Sequence, residues 1–343
     1  MLNSKPISLA SRAAFTILVC LPGVAQTGQV TILEIDTQAK VTYFNDVDYA
    51  KLASDPTATK PVGAPNPNKP FTQWFDISDI IAVNGRPAKG TWVNAGLPSL
   101  NLKPDATPGL RQSVGDITRT AMVHHYLEIL QTDGTPIGTI TATGFNFGDP
   151  PPGAPASITR DNLTVNGGTG AFLGARGQAG NSVTTLNSRS ASVTEDPANR
   201  RSNGGGGTVR FVVYLIPMTH PEIASAAGGP AVVHASDSSP VTAAQPARGG
   251  EILTLYATGL GPTRPAIEPG RVFNANPLQV ANSPIEVAVG GQVAEVLYAG
   301  GFPGTTDGFQ VNFRVPSGLA PGMASLHITA AWVAGPDVKI PIQ

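Results

Sequence analysis

The sequence predicts an all-β protein of two domains, a small closed barrel followed by a β-sandwich. Three observations carry that prediction. Glycine and proline, 39 and 32 of 343 residues, make up more than a fifth of the chain and favour turns and strand ends over long helices. A hydrophobic content of 41% supplies enough apolar side chains for packed cores and argues against disorder. The apolar residues of the strongest segments recur with period two, and the chain is too long for one ordinary core.

The first 25 residues read as a secretory signal peptide. Lys5 and Arg12 precede an apolar run from Ala13 to Leu21, and Gly23-Val24-Ala25 offers small residues for cleavage. The run is shorter than the roughly 20 residues of a membrane span. Val19 stands before Cys20 where a lipid-anchor signal wants a small residue, which favours cleavage after Ala25. Cleavage removes the only cysteine, so neither disulfide nor thiol chemistry is expected. The remaining 20 basic and 23 acidic residues leave a net charge of −3, which argues against nucleic-acid and anionic-membrane partners. No later run reaches transmembrane length, and the mature protein is expected to be soluble, in the periplasm or outside the cell.

The barrel domain is expected over residues 26–219. Its strands are read at Val30–Tyr43, Phe71–Ser78, Ile80–Val83 and Thr91–Val93, with a proline-rich surface loop at 55–70. The best-defined hairpin runs from Thr118 to Phe147 around Asp133-Gly134, a dipeptide suited to a tight primed turn. Counting outward pairs Leu127 with Ile140, His125 with Ala142 and Val123 with Gly144 on a mainly apolar face. The opposite, mainly polar face pairs Glu128 with Thr139, Tyr126 with Thr141 and His124 with Thr143. After the proline-rich Asp149–Pro155, strands follow at Ile158–Val165, Gly177–Leu186, Ala191–Glu195 and Thr208–Ile216, the last preceded by a flexible Gly204–Gly207 turn. Eight or nine strands suffice to close a small barrel and remove exposed edges.

Small residues at 220–230 read as a linker, and residues 231–343 as the second domain. There Ile285, Val287 and Val289 alternate with polar or small neighbours up to a Gly290-Gly291 turn into Val293–Tyr298. Val311, Phe313 and Val315 alternate likewise, as do Leu326, Ile328 and Trp332, and about seven short strands in this length fit a β-sandwich.

The segments EILTLYATGLGPTRP, PIEVAVGGQVAEVLYAG and GFQVNFRVPSGLAPG resemble the recurrent C-terminal domain of secreted acidobacterial proteins of unknown function. That domain looks like the immunoglobulin-like TIG type, which implies an appended β-sandwich module with no catalytic residues to carry over. Earlier, LEILQTDGTPIGTITATGFNF and DNLTVNGGTGAFLGARGQ are similar to the barrel core of dirigent and allene oxide cyclase proteins. This resemblance implies an eight-stranded antiparallel barrel whose mouth holds a small apolar ligand. In the second motif Gly167, Gly168 and Gly170 permit a tight turn after Val165, Phe172 folds back onto the core, and Gly174 and Gly177 frame Arg176.

Four residues are candidates for ligand binding. His124, Tyr126 and Glu128 share one strand face, which either lines the barrel and handles a polar atom of a ligand or faces solvent. Arg176 either neutralises an anionic ligand or anchors the glycine-rich turn through backbone carbonyls. The His124-His125 pair is no metal site, because consecutive strand residues point to opposite faces. No metal or cofactor is expected: the glycine-rich motif lacks a P-loop ending, and no nucleophile elbow or complete catalytic set appears. The expectation is a secreted noncatalytic protein that binds a small apolar molecule or an extracellular protein or glycan, with homo-oligomerisation through the barrel a further possibility. The alternative is a dirigent- or cyclase-like barrel that shapes a small apolar ligand and transfers a proton.

Overall fold

The computed structural model describes residues 30–44, 72–99, 121–146, 155–182, 189–192, 195–201, 206–216, 219–268 and 270–343. The expected signal peptide, the proline-rich stretches 55–70 and 149–154 and residues 204–205 of the expected glycine turn lie outside these. Among the described residues there is no α-helix, and no helix is long and apolar enough to cross a membrane.

The first unit contains β1 (Thr31–Phe44), β2 (Thr72–Val83), β3 (Arg86–Ser99), β4 (Ala121–Leu130), β5 (Pro136–Asn146), β6 (Arg160–Gly170), β7 (Arg176–Ser182), β8 (Arg189–Ser192) and β9 (Gly207–Ile216). Eight of them form a closed antiparallel barrel in the order β2-β3-β4-β5-β6-β7-β9-β1, sealed by pairing of β1 with β2. β8 lies outside the ring and adds to β1 in parallel. The β4–β5 register is the one expected, with Leu127 opposite Ile140, His125 opposite Ala142 and Tyr126 opposite Thr141.

Three local expectations are corrected. The expected strands at Phe71–Ser78, of which Phe71 lies outside the described residues, and Ile80–Val83 form one strand, because Asp79 between them pairs with Gln38 on one side and Thr91 on the other. The β4–β5 connection is not a two-residue primed turn, since only Gly134 has positive φ, at 91°. Asp133 Oδ1 accepts from Thr135 N at 2.8 Å, and the turn closes from Gly134 N to Gln131 O at 2.9 Å. β6 continues through its glycines to Gly170, because a Cβ at Gly168 would stand 2.3 Å from Phe172 O and 2.7 Å from Thr139 O. Glycine there lets strand and turn meet. A true primed turn does occur at Asn84-Gly85, with φ of 50° and 73°, joining β2 to β3.

Inside the barrel the fully buried side chains include Leu33, Ile35, Trp92, Leu127, Ile129, Ile140, Phe172 and Phe211. An eight-stranded barrel is just wide enough to be filled by its own side chains.

The second unit contains β10 (Glu222–Ile223), β11 (Ser225–Ala226), β12 (Gly229–Pro230), β13 (Val232–His234), β14 (Ile252–Thr258), β15 (Thr263–Arg264), β16 (Val280–Ala281), β17 (Ile285–Val289), β18 (Gln292–Gly301), β19 (Phe309–Arg314), β20 (Gly322–Ala330), β21 (Val333–Ala334) and β22 (Val338–Ile342). Eleven of them make an open, curled sheet with the main path β10-β14-β19-β18-β17-β20-β21, folded over a second core that includes Leu253, Val287, Phe313, Leu326 and Ile328, while β11 and β12 pair with each other as a separate ribbon. The Gly290-Gly291 turn has φ of 57° and 79°, as the sequence demands. Residues 222–230, expected as a linker, are three short strands, and Ile223 is buried in this core opposite Ala257. Small residues left that pairing invisible in the pattern.

Trp332 also departs from its expected alternation with Leu326 and Ile328. It sits with Ala331 in the turn between β20 and β21, both with positive φ (48° and 64°), and packs on the barrel core. Ala331 and Val333 are buried within that same core, at 1% and 3% exposure. The hairpin tip therefore stops one end of the barrel. The turns at that end hold it: Arg86 pairs with Glu286, Gln131 Nε2 donates to Asn282 O at 2.5 Å, Asn282 Nδ2 donates to Pro136 O, and Arg264 Nη1 donates to Thr135 Oγ1 at 3.0 Å. Non-glycine residues in the left-handed region cost about 1–3 kcal/mol each, so their surroundings must hold them there.

Candidate functional site

Barrel closure decides which strand face is enclosed. Val123, His125, Leu127 and Ile129 of β4 point inward, all at 2% exposure or less. His124, Tyr126 and Glu128 therefore stand on the outer face, with Tyr126 44% exposed, and they do not line the interior.

On that outer face the register builds a grid. One row runs Thr91, Glu128, Thr139, Thr169; the next runs Val93, Tyr126, Thr141, Gly167; the third runs Ala95, His124, Thr143, Thr164. Three rows cover about 13 Å along the strands and four strands about 14 Å across. Its hydroxyls are tied together. Thr139 and Thr169 share a hydrogen bond of 2.7 Å, Thr141 Oγ1 donates to Asn166 Oδ1 at 3.0 Å, and Asn166 Nδ2 donates to Thr143 Oγ1 at 3.2 Å. A Cβ at Gly167 would press on Thr141 Oγ1 at 3.1 Å, so glycine keeps the middle row open.

Arg176 stands at the margin, on β7. Its Nη1 donates to the carbonyls of Asn166 and Ala175, each at 3.0 Å, and Gly174 O lies at 3.4 Å. The guanidinium thus braces the turn and the strand segment that carries Asn166. All four candidate residues lie on or beside one outer surface: of the two alternatives open from the sequence, His124, Tyr126 and Glu128 take the solvent-facing one and Arg176 the role of anchor to backbone carbonyls.

A groove of about 440 Å³ adjoins the grid at Thr91 and is lined by Gln38, Asp79, Lys89, Leu130 and Arg201 among others. Asp196 caps a single 3-10 turn, Pro197–Arg200, by accepting from Ala198 N at 2.8 Å. Arg201 follows and clasps Asp79 with two 2.7 Å bonds, forming one wall of the groove.

The interior holds a polar cluster of its own, toward the end opposite the stopper. Lys40 Nζ lies 3.1 Å from Asp76 Oδ2 and 5.5 Å from the centre of the Trp92 ring. Asp76 also accepts from Thr42 Oγ1 at 2.5 Å and Asn94 Nδ2 at 3.4 Å. Trp92 Nε1 donates to His125 Nδ1 at 3.1 Å, which puts the imidazole proton on Nε2, and Phe211 stacks on the ring at 5.2 Å. Burial pushes His125 down to about 3, helped by the charges of Lys40 and His124, so the imidazole is neutral. His125 Nε2 and Asn94 Oδ1 are buried without a partner. Sequence reading missed this cluster because its polar members come from four strands, β1 to β4, with Lys40 and Asp76, and again Asn94 and His125, more than 30 residues apart, and Phe211 comes from a fifth.

Among the described residues no three His, Cys, Asp or Glu side chains converge as a metal-binding group. No known protein family, curated protein or solved structure matches the chain.

Proposed function

We propose that this chain is a secreted, noncatalytic binding protein that works through the outer face of its barrel, with the C-terminal sheet, read as an immunoglobulin-like module, fixed to one barrel end. Secretion is inferred from the N-terminal charge, apolar run and small-residue cleavage site. One observation carries the binding assignment: the interior is occupied by large side chains and stopped at one end by Ala331 and Trp332, while His124, Tyr126 and Glu128 face outward in an ordered polar grid. A side-chain network locked in place before binding loses little entropy when a partner arrives.

A second reading, a dirigent- or cyclase-like barrel acting on a small apolar ligand, is favoured by the unpaired His125 Nε2 and Asn94 Oδ1. Buried polar groups without partners cost about 1–3 kcal/mol each and mark places where a ligand restores the bond. Native mass spectrometry of protein purified from its natural source separates the two. The outer-face reading expects the bare mass of the mature chain, and a retained small molecule that is lost in Asn94→Ala or His125→Ala would replace it with the second.

A further inference from the structure

We infer that the outer grid of β3 to β6 is a saccharide-binding face, and that its partner is a neutral polysaccharide. This rests on the outer-face reading above. Each threonine hydroxyl offers one donor and two acceptor lone pairs. The internal bonds among Thr139, Thr169, Thr141, Asn166 and Thr143 use only part of that capacity. What remains is acceptor capacity on each of these threonines and free donors on Thr143, on Asn166 and on one member of the Thr139–Thr169 pair, a mixed array that complements a polyol whose own hydroxyls both donate and accept.

Tyr126 supplies the other half of sugar recognition. Its ring is exposed in the middle row, directly between Val93 and Thr141, where the C–H face of a pyranose can lie on it while ring hydroxyls reach Thr141 and Asn166. The groove beside Thr91 extends the same surface with further polar groups, Gln38, Asp79, Lys89 and Arg201.

Charge and apolarity exclude the competing occupants. Glu128 is the one carboxylate in the three rows; at the margin Arg176 has one nitrogen engaged by backbone carbonyls, and Arg201 of the adjoining groove is clasped by Asp79. A phosphate-bearing or sulfated chain needs several free cations, whereas among the described residues of this face and its groove Arg176 and Arg201 are already engaged, which leaves Lys89. A protein interface needs an apolar centre, whereas the exposed large apolar side chains among those described on β3 to β6 are Tyr126 and Met122.

The test is a depletion assay of the mature full-length protein against amorphous cellulose, chitin and mannan, with heparin as the anionic comparison. At least one neutral polymer should remove the protein from solution. Tyr126→Ala and Thr141→Val should each weaken that binding tenfold or more with unchanged thermal melting, and Met122→Ala, outside the grid, should bind as wild type. Retention on none of the neutral polymers overturns the inference, as does undiminished binding by Tyr126→Ala. Binding to heparin alone, dependent on Tyr126, removes the neutral-saccharide assignment and leaves the outer-face reading standing. A ligand retained in the barrel interior, seen by mass spectrometry, removes that reading itself.

Discussion

Acidification should destabilise this protein through His125. In the unfolded chain its imidazole takes up a proton near pH 6.5. In the folded barrel burial holds it down to about 3, with Lys40 and His124 acting in the same direction. Between those values the unfolded state binds the extra proton, so stability is fully present above about pH 6.5 and falls as pH drops, by about 1.4 kcal/mol per unit. Moving from pH 7.5 to pH 5.0 therefore removes about 2 kcal/mol through this group alone. Asp76 faces the same interior, paired with Lys40 and accepting from Thr42 and Asn94. Urea midpoints measured across that range for wild type and His125→Phe isolate the effect. The variant loses the acceptor for Trp92 Nε1, a cost that does not vary with pH, and its midpoint should be flatter than wild type by the amount given. Parallel pH dependences, or an His125 ring signal titrating near 6.5 by NMR, would refute the reasoning.

Further outcomes follow from the packing. Ala331→Asp buries a carboxylate in the barrel's stopped end, where Arg86 and Arg264 are already engaged by Glu286 and Thr135, and should cost more than about 3 kcal/mol and split one calorimetric transition into two; an unchanged melting profile would mean the stopper contributes nothing. Leu127→Ala, at a position with 0% exposure, should cost about 2–5 kcal/mol in urea unfolding while leaving Tyr126-dependent polymer binding intact. Arg201→Ala removes an ion pair on the surface and should change stability by less than about 1 kcal/mol, so a larger loss would show that the pair organises more of the groove than its geometry implies.

The sequence by itself determined the all-β class, the two units and the register of the β4–β5 hairpin. These follow from local quantities: period-two alternation, and turn residues whose backbone preferences need no distant partner. The alternation put Tyr126 and Glu128 on one face and Leu127 and Ile129 on the other, but it carries no sign that says which face is enclosed. Only closure decided that. β1 pairs with β9 some 180 residues away, Leu33 opposite Val213, and once the ring is shut the apolar face fills the interior and the polar face becomes an outer grid. The interior cluster of Lys40, Asp76, Asn94 and His125 was illegible for the same reason, because four strands contribute one residue each. The Trp332 stopper depended on how two separately patterned units dock, and an alternating strand pattern cannot distinguish a side chain kept in its own core from one spent on a neighbour's.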